Sequence, residues 1–69
     1  MDDKDYLKAF AMRVKTLREQ KGLSQEDLAS EAGLHRTYIG MVERTERNPS
    51  LVCIYKIAKG LNVNAKELL

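Results

Sequence analysis

The chain has 69 residues, of which 43% are hydrophobic and 32% charged, with a single proline. This length allows one small domain with one hydrophobic core, and the composition excludes a disordered segment. The formal net charge is only +2, but residues 36 to 66 hold six basic side chains against two acidic ones. Such an uneven distribution can present a basic face to an anionic partner.

Cys53 and His35 are the only residues of their types. A lone cysteine cannot form an internal disulfide and is typical of a reducing compartment, and one Cys with one His does not suffice for a structural zinc site. No apolar run is long enough for a signal peptide or a membrane span. We therefore expect a soluble, cytoplasmic, single-domain protein over residues 1–69, with no cofactor, no metal and no small-molecule ligand.

The first predicted helix runs from Asp5 to Lys21. Apolar residues recur there at helical spacing, and Gly22 is a suitable left-handed stop. Ser24, with an acidic residue three positions later at Asp27, is a capping pattern for a second helix, which must end before Gly33.

A third helix is predicted from about Arg36 to Arg44, followed by the polar loop TERNPS at residues 45–50. Ser50 is a suitable N-cap for a fourth helix that Asn62 can end in the left-handed conformation. A last helical turn is expected over residues 65–69. The core stripe of the fourth helix is predicted to be Leu51, Ile54, Ile57 with Ala58, and Leu61. Five short helices without a strand pattern predict an all-α fold, a compact five-helix bundle.

The second and third predicted helices carry the pattern that points to function. Ala29 lies where two helices must approach closely, and Gly33 follows where the chain must turn sharply. Ile39 and Val42 then stand where they would pack the third helix against the second. Two short helices joined by a glycine-containing turn are typical of a helix-turn-helix unit, although an unrelated helix pair can show the same glycine.

From Arg18 to about Val63 the chain resembles the Cro/repressor-type (Xre-like) helix-turn-helix family, with its lambda-repressor-like DNA-binding domain. The resemblance rests on Leu17-Arg18, Gly22-Leu23-Ser24-Gln25, Leu28-Ala29, Ala32-Gly33-Leu34, Ile39, Val42-Glu43-Arg44, Asn48-Pro49-Ser50-Leu51 and Ile57-Ala58. Within that family, Arg36-Thr37-Tyr38-Ile39 with the following Glu43-Arg44 and Arg47-Asn48 is similar to the small dimeric controller proteins of restriction-modification systems. The resemblance implies a DNA-binding transcriptional regulator.

The third helix has an outward face that suits DNA. At about 100° per residue, Ile39 and Val42 turn toward the core. The opposite arc holds Arg36, Thr37, Gly40, Met41 and Arg44. The second helix of such a unit inserts its N-terminal residues into the major groove, and an arginine can bond guanine O6 and N7 together. A glycine on that face makes sense where the helix approaches a surface closely.

We expect Arg36 to read bases, and Thr37 to contact a base edge, a thymine methyl or a phosphate unless it bonds the local backbone. His35 is either a weak N-cap or a DNA contact. Tyr38 is either a core residue or, as the resemblance implies, a contact near the operator centre. The predicted base-contacting set is Arg36, Thr37, Tyr38, Met41 and His35.

Phosphate contacts are expected at both ends of the helix pair. Gln25 begins the second helix, where free N–H groups can hold an anion, and the resemblance favours this over a capping role alone. A polar cluster follows the third helix, although Arg44 could equally lie in solvent. The predicted phosphate-contacting set is Gln25, Arg44, Arg47, Asn48 and Ser50. The resemblance also implies a partly buried ion pair between Arg18 and Glu43. Cys53 is predicted to be a small side chain that fills space in the fourth helix.

A domain this small buries too few base contacts for high specificity, so we expect a homodimer on a palindromic operator. The dimer contact is predicted at apolar residues that the core does not need: Val52, Tyr55, Leu68 and Leu69. Double-stranded DNA is the main expected partner, and RNA polymerase is a further candidate.

Three other functions are weighed against a controller protein. A phage-type repressor or an antitoxin that regulates its own operon usually carries a ligand, cleavage or toxin-binding region, and we expect none within these residues. A protein-interaction module that has lost DNA binding fits poorly with the intact Arg36, Thr37 and Gln25. An enzyme is not expected, because no catalytic pair or metal constellation is present.

Overall fold

A computed structural model describes residues 1–69 as four α-helices followed by a short 3-10 turn. The helices are α1 (Asp3–Gln20), α2 (Gln25–Ala32), α3 (Arg36–Glu43) and α4 (Leu51–Leu61), and the 3-10 turn covers Ala65–Glu67. The all-α class is confirmed, but the prediction of five helices is wrong. The last segment forms a single 3-10 turn, because so short a piece gains too few hydrogen bonds to sustain an α-helix.

Three of the four α-helices begin at a side chain that caps the free backbone N–H groups. Asp2 and Asp5 form a reciprocal capping box, with side chain to backbone distances of 3.0 and 3.1 Å, so α1 starts at Asp3 rather than at the predicted Asp5. Ser24 and Asp27 form the same box at the start of α2. The Ser50 hydroxyl accepts a hydrogen bond from the Cys53 N–H at 3.2 Å and caps α4.

The core lies between the helices, with α2 packed against both α3 and α4. Its fully buried side chains are Leu28, Ile39, Ile57, Leu61, Leu68, Val14 and Val42. Large apolar side chains from every α-helix meet there, and burying each of them contributes roughly 1.5–3 kcal/mol. None of the helices combines the length and the apolar character needed to cross a membrane.

Two predictions about apolar residues need correction. Leu68 has no exposed surface and packs in the core of its own chain, so it cannot form the predicted dimer contact. The 3-10 turn places it there by turning the chain back toward α4. Leu51, predicted in the core stripe, is 66% exposed, because it is the first residue of α4 and lies beyond the packed part of that helix.

Candidate nucleic-acid interface

A tight turn joins α2 to α3. Gly33 ends α2 with φ at 69°, a left-handed conformation that glycine adopts without steric penalty. The Leu34 N–H then donates to the Ala29 carbonyl at 2.9 Å and closes the helix end. Ala29 is only 3% exposed and belongs to the core, so its small side chain allows the close helix packing that the sequence pattern predicts. The turn sets the direction in which α3 leaves α2.

The α3 helix has one buried face and one exposed end. Ile39 and Val42 are 0% and 1% exposed, and this apolar contact holds the helix against the core. Arg36 and Thr37, in the first turn, are exposed. An arginine and a threonine are therefore presented at the start of a helix whose orientation is set by packing.

The remaining candidates for base contact surround that first turn. His35 is the N-cap of α3 and is exposed, but its side chain makes no capping hydrogen bond. Met41 is half-buried one turn further along. Tyr38 is also half-buried and packs against the core, so its ring fills the edge of the core.

Gly40 lies on the outward arc of α3, as predicted, but it is not open to solvent. The residue is buried, because two long side chains fold over it. A Cβ built at this position would lie 3.0 Å from Arg44 Nη1 and 3.4 Å from Gln25 Oε1. The outward face of α3 is therefore open at Arg36 and Thr37 but covered in its middle.

Arg18 and Glu43 form the ion pair that the family resemblance implies. The guanidinium donates from Nε to Glu43 Oε2 at 2.7 Å and from Nη2 to Oε1 at 3.1 Å, and its Nη1 donates to the Leu23 carbonyl at 2.7 Å. The two side chains are 11% and 2% exposed. The hydrogen bond to Glu43 raises the pKa of Arg18, so the pair is held in its charged form. It ties α1 to the C-terminal end of α3.

Gln25 is drawn into the same network. Its carboxamide Nε2 donates to Glu43 Oε1 at 3.1 Å, and the residue is half-buried. Gln25 is also the first residue of α2, where backbone N–H groups have no partner within the helix and carry partial positive charge. The glutamine thus combines a fixed side chain with a helix start that favours an anion.

The chain after α3 turns through a left-handed residue that is not glycine. Thr45 has φ at 63°, and the Glu46 N–H donates to the Met41 carbonyl at 2.8 Å. This helix end places the Glu46 carboxylate 3.1 Å from the Nε of Arg44, in an exposed ion pair. The Arg44 side chain is 57% exposed, and its far end lies over Gly40 rather than away from α3.

The polar loop folds back onto Tyr38. The guanidinium carbon of Arg47 lies 5.7 Å from the centre of the Tyr38 ring, a cation–π distance. These residues line a shallow cleft together with Glu46, Asn48, Ser50 and Cys53. The structure thus brings Arg47, Asn48 and Ser50 together beside α3, as candidates for one patch of phosphate contacts.

Neighbouring groups in this cleft shift the pKa values of Tyr38 and Cys53. Burial, with a contribution from the Cys53 thiol, raises the pKa of Tyr38 from 10.0 to about 12. A hydrogen bond with Ser50, followed by one with Tyr38, lowers the pKa of the Cys53 thiol. Both directions agree with a tyrosine hydroxyl that keeps its proton and donates it toward sulfur. Cys53, predicted as a small filler of the fourth helix, also lines this cleft.

Arg36, like Arg44, lies beside a carboxylate. Glu26 Oε2 lies 3.9 Å from Arg36 Nη1, and both side chains are largely exposed, at 77% and 71%. An ion pair so exposed contributes little to stability, about 0–1 kcal/mol. It leaves Arg36 free to move to a different partner.

The predicted dimer contact is partly exposed. Val52, Tyr55 and Leu69 are 62%, 60% and 69% exposed, and Leu51 adds to the apolar surface at the start of α4. Residues three and four apart are neighbours on a helix surface, and Tyr55 lies three residues after Val52 and four after Leu51. Leu51, Val52 and Tyr55 therefore form a single apolar face, which we call the α4 face.

Sequence reasoning missed three features of this interface: the Gln25–Glu43 hydrogen bond, the Arg47–Tyr38 contact and the covering of Gly40. Each joins residues that are far apart in sequence or on a loop of irregular backbone. No periodic pattern signals such a contact. For the Arg47–Tyr38 contact, the only signal in the sequence is the polar loop that contains Arg47.

Comparisons with known proteins agree with this geometry. The helix-turn-helix family HTH_3 matches residues 14–68. The chain is 49% identical over 69 residues to the control protein C.SmaI of Serratia marcescens, covering 100% of this chain and 79% of that protein. It is 51% identical over 61 residues to the control protein C.BamHI of Bacillus amyloliquefaciens, covering 87% and 75%.

Solved structures show the same fold. The crystal structure of the restriction-modification controller protein C.AhdI from Aeromonas hydrophila superposes with a TM-score of 0.89 at 51% sequence identity. The match covers 91% of this chain and 96% of that one. Fold and sequence similarity thus extend over the whole helix-turn-helix region.

Proposed function

The chain belongs to the HTH_3 helix-turn-helix family, a family of DNA-binding regulators, and we propose that it is a sequence-specific transcriptional regulator of the restriction-modification controller type. The observation that carries the proposal is the first turn of α3. There Arg36 and Thr37 are exposed at the start of a helix that Ile39 and Val42 hold against the core. This is the arrangement that places side chains against base edges in the major groove.

Arg36 is the proposed principal base contact. Its guanidinium can donate to guanine O6 and N7 at once, which discriminates against other bases by about 1–3 kcal/mol. Only the weak pair with Glu26 at 3.9 Å has to be given up. Thr37, His35, Tyr38 and Met41 are proposed to contact the neighbouring bases or their methyl groups.

The proposed phosphate contacts flank the recognition helix α3. Gln25 offers the N-terminal end of α2 on one side, and Arg47, Asn48 and Ser50 offer the cleft after α3 on the other. Arg44 is the proposed link between the two. Contacts to the backbone on both sides would fix the orientation of α3 on the duplex without reading sequence.

A second copy of the chain is proposed to bind the same operator. The α4 face, with Leu69, offers exposed apolar surface that a symmetric partner could cover. Two recognition helices about 34–36 Å apart would then meet two successive major grooves on one side of the duplex. A palindromic operator follows from the two-fold symmetry of such a dimer.

The relatives support a proposal about the biological setting. C.AhdI is a restriction-modification controller, and C.SmaI and C.BamHI are control proteins. We propose the same role here, in the cytoplasm, with DNA as the ligand, RNA polymerase as a further partner at the operator and no catalytic activity. A methyltransferase or endonuclease gene beside the gene for this chain supports the role, and a toxin gene supports an antitoxin instead.

Selection of bound duplexes from a random library tests the proposal directly. We expect enrichment of a two-fold symmetric motif whose half-sites are spaced by about one helical turn. Sedimentation of the protein with that duplex should give two chains per operator. Absence of any enriched motif, with binding equal on all sequences, would contradict sequence-specific regulation.

A further inference from the structure

Gly40 lies in the middle of α3, where glycine is an unfavourable residue. Its backbone is helical, so any residue could adopt its conformation, and alanine would favour the helix more. The reason for a glycine must therefore lie in the space above its Cα. In the free protein that space is occupied, because Gly40 is buried.

Two polar side chains occupy the space. Arg44 Nη1 and Gln25 Oε1 would lie 3.0 and 3.4 Å from a Cβ at position 40. The three heavy atoms nearest to that Cβ, apart from the helix's own backbone, all belong to these two residues, the third being Arg44 Cζ at 3.8 Å. A side chain at this position would therefore first meet the two groups that converge there.

Each of the converging groups is held from its far side by a carboxylate. Glu43 accepts a hydrogen bond from Gln25 Nε2, and Glu46 accepts one from Arg44 Nε, both at 3.1 Å. The carboxamide oxygen of Gln25 is an acceptor and the guanidinium of Arg44 is a donor, so groups of opposite partial charge face each other over the glycine. The guanidinium keeps further donors free for an anion.

We propose that Gly40 is a positioning residue, whose missing side chain lets the guanidinium of Arg44 and the backbone N–H groups at the Gln25 end of α2 act together as one clamp on a single DNA phosphate. The clamp combines the guanidinium of Arg44 with the N-terminal end of α2, two groups that favour an anion for independent reasons. The inference rests on the proposed DNA binding and deepens it. It assigns a joint role to two residues and a functional role to a residue that need not touch DNA.

Gly60 provides a matched control within the same chain. A Cβ there would lie 2.9 Å from Leu28 Cδ1, 3.0 Å from the Ala32 nitrogen and 3.1 Å from the Ala32 Cβ. Glycine at position 60 therefore serves the packing of α4 against α2. Gly60→Ala should lower the thermal midpoint without changing DNA affinity at a temperature where the protein remains folded.

Gly40→Ala should instead lower DNA affinity without lowering stability. We expect a thermal midpoint equal to or above that of the wild type, because alanine favours the helix and only the far end of the exposed Arg44 side chain, 3.0 Å from the added Cβ, must move. Affinity for the selected operator should fall about tenfold, and the slope of log K against log salt should become shallower by about one unit. Fluorescence anisotropy with a labelled duplex measures both.

The same substitution in an Arg44→Ala background, where the guanidinium of the clamp is absent, decides between a clamp and simple steric exclusion of DNA. If Gly40 acts through the clamp, it causes no further loss there. An equal loss in both backgrounds, wild-type affinity of Gly40→Ala, or a lowered midpoint with unchanged affinity would each overturn the inference. Failure of the wild-type chain to bind any duplex would instead refute the proposed function on which the clamp depends.

Discussion

Arg18 of α1 and Glu43 of α3 form a two-point ion pair, with N–O distances of 2.7 and 3.1 Å. Glu43 also accepts a hydrogen bond from Gln25, so one nearly buried carboxylate joins α1, α2 and α3. The pair thus determines both the position of the recognition helix and the direction of a candidate phosphate contact.

Glu43→Ala should be among the most destabilising single substitutions in the chain. It leaves the Arg18 charge without its partner in a largely buried position, a change worth about 3–5 kcal/mol. Urea unfolding followed by circular dichroism measures the loss. Replacing both partners, in Arg18→Met/Glu43→Leu, should lose less than Glu43→Ala because no charge is left unpaired. A loss below about 1 kcal/mol for Glu43→Ala would mean that water screens the pair.

Arg36→Ala should relax sequence preference and leave non-specific binding largely intact. The substitution removes a base contact worth about 1–3 kcal/mol, so operator affinity should fall by about five- to 150-fold. Parallel titrations with operator and random duplexes of equal length measure the ratio. Equal losses on both duplexes would instead assign Arg36 to the phosphate backbone.

Arg47→Ala should weaken binding to all sequences alike. If the side chain neutralises a phosphate, the slope of log K against log salt becomes shallower by about one unit. Lys15→Ala is the control, since it removes the same charge from an exposed position on α1. An unchanged slope for Arg47→Ala would leave its contact with Tyr38 as its only role.

Thr45→Gly should stabilise the free protein. Thr45 holds φ at 63°, where a β-branched residue is strained by about 1–2 kcal/mol and glycine is not. Part of this gain is offset by the greater chain entropy of glycine when unfolded, which leaves roughly 0.5–1 kcal/mol. Thr16→Gly, within α1, is the matched control and should destabilise. Thermal unfolding compares the two, and a less stable Thr45→Gly would show that the threonine makes a contact worth more than the strain.

The Tyr38 hydroxyl should lose its proton at a higher pH than an ordinary tyrosine does. Its pKa is raised to about 12 from 10.0, so the folded state favours the protonated hydroxyl. The associated stability is fully present below pH 10.0 and is lost as pH rises through about 12. Tyrosinate absorbance of the wild type minus that of Tyr38→Phe isolates this hydroxyl. Titration of the difference signal near pH 10.0, the ordinary value, would contradict the burial that the structure describes.

Local signals in the sequence were sufficient for most of the helical framework. Ser24, Gly33, Ser50 and Asn62 stand at the ends of helices as predicted, because capping and left-handed stops depend on a few adjacent residues. The Asp2 cap was missed, which placed the first helix two residues late. The last segment was predicted as a helix because capping and apolar residues alone do not reveal how few hydrogen bonds it gains.

Periodicity and capping residues act over a few positions, so they are sufficient to predict the fold class, the helix-turn-helix unit and the exposed start of α3. Which long side chains meet depends on how the helices pack. The tertiary structure buries Leu68, covers Gly40 with Gln25 and Arg44, and places Arg47 over the Tyr38 ring. These contacts join separate elements, so their distances depend on how the helices pack rather than on the spacing of residues along the chain.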